Sequence, residues 1–286
     1  MKKKIVLGTA QLNLSNYGIT DERIDFSKHK ILDLLNFAWD KGIKYFDTAP
    51  IYKNEKIIGE FIKKKKINSE IKILTKVESI KNLTSLYSET SNSLENSMKD
   101  LNINKIHTLF FHQEKDFYKI IKEKFFFEKL KKNYNIQNFG ISVYSKLLAK
   151  KILNFYPFMS LQFPFNIINY TFQNLKKKKS LFFARSVFCQ GLLTSNKIKN
   201  NDLILKKKHT VYVEYLKKNK INPINLCIDF MDKKKDIDFI LFGIKSKEQL
   251  LEIINYKKKK INNENEYLKI QKIFKGNFND PRKWKV

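Results

Sequence analysis

Four side chains suited to acid–base chemistry lie at or just after the ends of short apolar runs in the first half of the chain. Asp47 ends one run and Tyr52 follows it five residues later, whereas Lys76 and His112 end two further runs. Tyrosine, lysine and histidine can donate protons or hydrogen bonds, and a carboxylate can pair with a lysine. If these runs are parallel strands of one barrel, the four side chains gather at its carboxyl end, where barrel active sites lie.

The rest of the chain alternates short apolar runs with longer amphipathic stretches, which is typical of parallel β/α units. We predict strands at Lys4–Gly8, Lys44–Asp47, Ile71–Lys76, His107–His112, Ile136–Ser142, Ser160–Pro164, Leu181–Ser186 and Asp238–Gly243. Eight such units predict an α/β fold, a (β/α)8 TIM barrel forming a single domain over residues 1–286. An open doubly wound sheet usually carries a glycine-rich turn after its first strand, and Gly8-Thr9-Ala10-Gln11 has none.

The four side chains and their surroundings resemble the aldo-keto reductase family. Asp47, Thr48, Ala49 and Tyr52 match the family pattern at the second strand, and Lys76 and His112 match its catalytic Lys and His at the ends of the third and fourth strands. The resemblance continues through Phe139–Ser142, Leu161–Asn166, Gly191–Thr194 and Leu241–Leu250. It therefore covers nearly the whole chain, in the family's order.

The resemblance implies that the chain reduces an aldehyde or ketone with hydride from a nicotinamide cofactor. Tyr52 is then the general acid that gives the carbonyl oxygen its proton. Lys76, held by Asp47, stabilises the tyrosinate that remains, and His112 hydrogen-bonds the substrate oxygen. Each of these residue types suits its task, which strengthens the interpretation of the four as catalytic.

Further positions match the family's cofactor site. The resemblance places the cofactor against Gly8, Thr9, Ser142, Gln162, Arg185, Gly243, Lys245, Ser246 and Gln249. A helix beginning after Ser246 would present free N–H groups to a phosphate. Lysines beside it favour the additional 2′-phosphate, so we expect NADPH rather than NADH.

Three departures from the family pattern concern the same site. The segment Lys53–Glu55 is one residue shorter than usual, and Val143 replaces an asparagine that contacts the nicotinamide carboxamide. Arg185 stands where many members stack an aromatic ring on the nicotinamide. A guanidinium can stack in the same way, or it can bind an anionic part of the substrate.

The charge balance is strongly basic, with a formal net charge of +29 that comes from 54 lysines and only three arginines. Specific nucleic-acid readers depend on arginine, so we expect biased codon usage, a solvated lysine surface and no specific nucleic-acid partner. The partner we expect is a small carbonyl compound, anionic or sugar-like. Two cysteines exclude a disulfide framework, and no histidine spacing suggests a metal site.

No stretch resembles a secretory signal or a membrane span, so we expect a cytoplasmic monomer or weak oligomer without membrane contact. Two other functions remain open: a cofactor-binding barrel with a regulatory or scaffold role and little turnover, and an RNA-associated protein. Three further expectations concern single segments or residues. Asn200–Asn222 is a polar insertion over the barrel mouth, Asp116 caps the helix that follows it, and His107 is structural.

Overall fold

The computed structural model describes residues 4–12, 18–19, 27–256, 264–276, 278 and 280–284. Within them, eight parallel strands close into a barrel, each pairing with its neighbours in chain order. The strands are β1 (Lys4–Gly8), β2 (Tyr45–Asp47), β3 (Lys72–Val77), β4 (Ile106–Phe111), β5 (Ile136–Ser142), β6 (Ser160–Pro164), β7 (Phe182–Arg185) and β8 (Phe239–Gly243). The predicted (β/α)8 barrel is confirmed, and no predicted strand boundary differs by more than one residue.

Helices connect these strands around the outside of the barrel. They are α1 (Lys28–Asp40), α2 (Glu55–Lys65), α3 (Leu86–Leu101), α4 (Phe117–Ile120), α5 (Phe126–Asn133), α6 (Lys146–Phe155), α7 (Leu203–Lys218), α8 (Pro223–Asp232), α9 (Lys247–Ile254) and α10 (Glu264–Ile273). Across the described residues, no helix has the length and apolar character that crossing a bilayer requires.

The barrel closes where β1 pairs with both β2 and β8. Gly8 lies opposite Asp47 on one side and opposite Gly243 on the other. All strands run in the same direction, so their carboxyl ends form one rim. Residues far apart in the chain, including Asp47 and Gly243, therefore become neighbours at that rim.

The barrel interior is apolar below the rim and polar at the rim. A buried cluster fills the lower part and consists of Val6, Leu74, Phe110, Phe183, Phe239 and Leu241. Side chains two residues apart on a strand point the same way, so Leu74 precedes Lys76 on one inward face and Phe183 precedes Arg185 on another. Phe183 stacks on Phe239 at 4.3 Å between ring centroids. The polar residues of the rim thus stand on a packed aromatic floor.

The expectation of a polar insertion at Asn200–Asn222 is wrong, because most of this segment is the helix α7. Asp202 caps the helix by accepting hydrogen bonds from the N–H groups of Ile204 and Leu205. The buried face of α7 includes Leu205 and Tyr212, whose hydroxyl donates to the carbonyl of Leu193 at 2.8 Å. The many lysines between these apolar residues concealed the helical pattern in the sequence.

The expectation for Asp116 is also wrong, since its side chain makes no capping hydrogen bond to α4. The carboxyl group is buried, with the Lys119 ammonium 3.7 Å away, and burial raises the pKa of Asp116 to about 6.

His107 lies at the end of the barrel opposite the rim. Its ring packs edge-on against Tyr45 and Phe239, and burial lowers its pKa to about 4.

We predict that Gly59→Ala strongly destabilises the barrel. Gly59 lies on the face of α2 that packs against α3, and a Cβ there would stand 2.0 Å from the carbonyl oxygen of Asp100. The two helices must separate to admit it, which costs roughly 2–4 kcal/mol of unfolding free energy. Urea denaturation followed by circular dichroism measures the loss. Lys63→Ala, on the exposed face of the same helix, is the control; equal stability of the two variants contradicts the prediction.

Candidate active site

The centre of the rim is a buried ion pair between Lys76 and Asp47. The Lys76 ammonium lies 2.7 Å from Asp47 Oδ2 and donates a second hydrogen bond to the carbonyl of Thr48 at 2.8 Å. The amide of Gln162 donates to the other carboxylate oxygen at 2.7 Å. Lys76 is only 2% exposed and Asp47 only 4%. Strands β2, β3 and β6 thus meet in one hydrogen-bonded unit.

A second hydrogen-bond network, made by residues after β1 and β2, fixes the backbone of Asp47. The Thr9 hydroxyl donates to the Asp47 carbonyl at 2.9 Å, and the amide of Asn54 donates to the Thr9 carbonyl at 2.7 Å. Thr48 donates to Asn54 Oδ1 at 3.0 Å. Thr9, Thr48 and Asn54 are all fully buried. Thr9, which was predicted to contact cofactor, therefore contributes by fixing the end of β2.

Tyr52 stands above this ion pair, and His112 lies beside it. Tyr52 ends a short 3-10 turn over Pro50–Tyr52, which Lys53 closes in the left-handed conformation at φ 53°. The Lys76 ammonium is 4.9 Å from the centre of the Tyr52 ring and hydrogen-bonds to this side chain. The rings of Tyr52 and His112 meet at 87°, with 6.3 Å between their centroids. The structure thus brings together all four residues predicted as catalytic.

The electrostatics of the site keep Lys76 charged and His112 neutral. Burial by itself would lower the pKa of Lys76, but the charge of Asp47, its hydrogen bond and the contacts with Tyr52 raise that pKa overall. Burial lowers the pKa of His112 to about 4, and the positive charges of Lys76 and Arg185 act in the same direction. At neutral pH the imidazole is therefore an uncharged hydrogen-bonding group.

A cavity opens from this centre towards the ends of β7 and β8. It is lined by eight of the predicted site residues: Gly8, Asp47, Tyr52, Gln162, Arg185, Gly243, Lys245 and Gln249. Arg185 and Tyr52 lie towards the barrel centre, whereas Lys245 and Gln249 lie at the beginning of α9. The cavity is therefore elongated, with the candidate catalytic centre at one end and a helix N-terminus at the other.

Three predicted cofactor residues stand outside this lining: Thr9, described above, Ser142 and Ser246. Ser142 is 3% exposed at the end of β5, one strand away from Gln162. Ser246 caps α9 by accepting a hydrogen bond from the Gln249 N–H at 3.2 Å. The Gln249 side chain in turn accepts from the Lys245 N–H at 2.8 Å. These contacts fix the start of α9 and orient Lys245, which does line the cavity.

The sequence interpretation missed Gln11 and most of the segment after β7, which form much of the remaining lining. That segment supplies Ser186–Phe188, Gln190, Gly191, Thr194 and Ser195. Ser186, Cys189 and Gln190 adopt left-handed backbone conformations although none is glycine. Nothing in the sequence marks such residues, because this conformation is favoured mainly by glycine. The sequence therefore could not predict the tight loop that bounds the cavity.

Gly18 brings the segment after β1 against this loop. It adopts φ +95°, and a Cβ at this position would lie 2.9 Å from the carbonyl oxygen of Gln190. The next residue, Ile19, donates its N–H to the same oxygen at 3.2 Å. The ends of β1 and β7 are therefore connected through their loops on the same side of the cavity.

Two observations indicate that this cavity suits a polar ligand such as a nicotinamide nucleotide. The amide nitrogen of Gln11 is buried without a hydrogen-bond partner among the described residues, and an orphan donor is costly unless a ligand satisfies it. A Cβ at Gly243 would lie 2.7 Å from Gln11 Oε1, so only glycine leaves this approach open. Among the described residues, no group of three or more His, Cys, Asp or Glu side chains could hold a metal ion.

Comparisons with known proteins agree with this architecture. A Bacillus subtilis (strain 168) protein described as an uncharacterized oxidoreductase, YqkF, is 36% identical over 67 residues, a match that spans 22% of each chain. The glycerol dehydrogenase AKR11B4 from Gluconobacter oxydans has a similar fold, with a TM-score of 0.70 and 18% identity. MGS-M4, an aldo-keto reductase from a Medee basin deep-sea metagenome library, has a TM-score of 0.65 and 17% identity. Both alignments cover 94% of this chain and 90% of the other.

The aldo/keto reductase family itself matches over residues 4–273, from β1 to the end of α10. That range contains all eight strands and every residue of the site described above. Together with the closed barrel, this match shows that the chain belongs to the aldo/keto reductase family.

Proposed function

We propose that this chain is an NADPH-dependent reductase of small aldehydes or ketones, with Tyr52 as the general acid. The observation that carries the proposal is the buried Lys76–Asp47 pair directly beneath Tyr52. A lysine fixed in this way places a permanent positive charge next to the phenol that would lose its proton. The family membership and the oxidoreductase name of the Bacillus subtilis relative support the same reaction class.

The reaction needs a hydride at the carbonyl carbon and a proton at the carbonyl oxygen. A bound reduced nicotinamide supplies the hydride. Tyr52 supplies the proton through its hydroxyl, and Lys76 stabilises the phenolate until solvent returns the proton. Neutral His112 donates a hydrogen bond to the same oxygen, stabilising the negative charge that develops there. Asp47 contacts neither the hydride donor nor the carbonyl group in this scheme. It acts by holding Lys76 in position.

The elongated cavity suits a dinucleotide whose nicotinamide end lies near Tyr52. Arg185 and Gln162 would then lie at the nicotinamide end of the cavity, while Gly243, Lys245 and the start of α9 would hold the adenosine phosphates. The positive end of the α9 helix dipole favours an anion there. The Lys245 ammonium is the feature that favours NADPH over NADH.

The first test is a fluorescence titration of wild type and Tyr52→Phe with NADPH and NADH. We expect saturable binding that is about tenfold tighter for NADPH, because one charge-assisted contact contributes roughly that factor. Tyr52→Phe should bind equally well, and Lys245→Met should lose the preference for NADPH. The titration is repeated at raised salt, since binding that disappears there reflects only the basic surface. No saturable binding of either nucleotide would contradict the reductase proposal.

The second test measures turnover of a carbonyl panel. Tyr52→Phe should lower kcat by about 100-fold or more, because a positioned general acid contributes that much. Tyr118→Phe, which removes an equivalent phenol from the exposed surface of α4, is the matched control. Tight NADPH binding without Tyr52-dependent turnover would favour the regulatory or scaffold role instead.

The third test concerns the protonation of His112. An NMR titration of the imidazole signals should give His112 a pKa of about 4, so the side chain stays neutral as the pH falls to 5. Arg185→Met should raise that pKa, because a neighbouring positive charge is removed. It should leave His107 unchanged, since the lysines that influence His107 are Lys4, Lys72 and Lys105. His112→Asn assigns the signal, and a wild-type pKa near 6.5 would contradict the proposed role.

A further inference from the structure

Two of the three arginines in this lysine-rich chain meet on one tyrosine ring. The guanidinium carbon of Arg185 lies 4.4 Å from the centre of the Tyr144 ring, and that of Arg282 lies 3.4 Å from the same centre. Tyr144 comes two residues after the end of β5, Arg185 ends β7, and Arg282 belongs to the short turn Pro281–Lys283. Three distant parts of the chain therefore converge beside the rim.

The two guanidinium groups differ in their partners. Asp280 neutralises Arg282 with a two-pronged contact, Nε to Oδ1 at 2.9 Å and Nη2 to Oδ2 at 2.7 Å. Within the described part of the chain, Arg185 has no carboxylate in ion-pair range. Its one side-chain hydrogen bond there is a long contact to Ser186 Oγ at 3.5 Å. The charge of Arg185 is thus held beside Tyr144, and no described carboxylate neutralises it.

The backbone of Tyr144 is held in place by a carboxylate from another loop. The Glu114 carboxylate accepts hydrogen bonds from the N–H groups of Tyr144 and Ser145, at 2.7 and 3.0 Å. Arg185 and Arg282 both lie against the Tyr144 ring. Stacking uses the flat face of a guanidinium and leaves its N–H edges available for hydrogen bonds. The arrangement therefore orients those edges without consuming them.

Arg185 is half-buried and lines the same cavity as Asp47 and Tyr52. Its charge also reaches His112, where it contributes to the lowered pKa of that side chain. Keeping a guanidinium that has no carboxylate partner among the described residues partly out of water costs free energy, which a bound anion recovers. The position beside Tyr52 and His112 means that the anion would belong to the molecule being reduced.

We propose that Arg185, positioned by Tyr144 and Arg282, binds a carboxylate or phosphate of the substrate, which makes the substrate an anionic aldehyde or ketone. This inference rests on the proposed reductase function and specifies its substrate class. A carboxylate and a phosphate each present a pair of oxygens to the N–H edge of the guanidinium. The site therefore suits either anionic group. Arg282 and Tyr144 touch no substrate and are positioning residues.

The kinetic test uses matched pairs of aldehydes at saturating NADPH. Succinic semialdehyde is compared with butanal, and glyceraldehyde 3-phosphate with glyceraldehyde, so that the two pairs separate carboxylate from phosphate. We expect kcat/KM to favour the anionic member of at least one pair by about tenfold to a hundredfold. Arg185→Met should abolish that preference through KM, and Arg185→Lys should restore part of it. Arg282→Met should reduce the preference by a smaller factor.

The matched control is Lys245→Met, which removes the same charge from the opposite end of the cavity. It should leave the ratio between anionic and neutral aldehyde unchanged. An equal loss of preference in Lys245→Met would attribute the effect to the general positive field and overturn the proposal. So would equal wild-type kcat/KM values for both members of both pairs.

Anion binding is also measured directly, without turnover. Calorimetric titration with succinate and with inorganic phosphate should show binding to wild type that is at least tenfold weaker in Arg185→Met. Equal binding to the two proteins overturns the inference. NADPH affinity is measured in parallel, and a loss in Arg185→Met as large as the loss of anion binding would assign Arg185 to the cofactor instead. Failure of the proposed function is distinct, because it shows as no saturable binding of NADPH by wild type.

Discussion

Lys76 loses its hydration when the barrel folds, and its replacement partners all come from the end of β2 and the turn that follows it. Moving a charged ammonium out of water costs several kcal/mol, and only close, well-oriented partners repay that cost. Asp47, the Thr48 carbonyl and the Tyr52 side chain provide them. Removing Asp47 alone would leave a buried charge, which typically costs about 3–5 kcal/mol. Strand β2 and the turn after it must therefore dock accurately on β3 for this lysine to be buried, and the same docking places Tyr52 beside His112.

The apolar floor explains why the rim stays in position. Phe110 and Phe183 meet edge-on at 5.2 Å directly beneath the polar layer. Gly140 on β5 is the pairing partner of Phe110 on the adjacent strand β4, and a Cβ at Gly140 would come within 2.4 Å of the Phe110 ring. The Phe110 ring thus fits in the interior only because the residue beside it on β5 is a glycine. Leu74 lies two positions before Lys76 and Phe183 two positions before Arg185, so the packing supports these two polar side chains from below.

Periodic and local features of the chain could be predicted from the sequence, and features made by distant segments could not. The strands follow from short apolar runs, and His112 follows Phe110 on one face because side chains alternate along a strand. Composition alone could not single out Lys76 among 54 lysines, but it is the only buried lysine in the described residues. Its assignment came from the family pattern. The stack on Tyr144 and the left-handed loop after β7 depend on contacts that only the folded chain creates. Helix α7 was missed because its lysines hid the apolar residues between them.

The seam between β1 and β8 has a consequence for how the protein folds. Lys4 pairs with Phe239 there, so closure joins segments from nearly opposite ends of the described chain. Contacts of such high sequence separation form slowly, and until β8 docks, β1 and β7 each present an open edge to other chains. The cavity crosses this seam, with Gly8 on one side and Gly243 on the other. A ligand bound there favours the closed barrel over forms opened along the seam, by mass action. Such a ligand, present during synthesis, would draw partly closed chains into the native state before their open edges meet other chains.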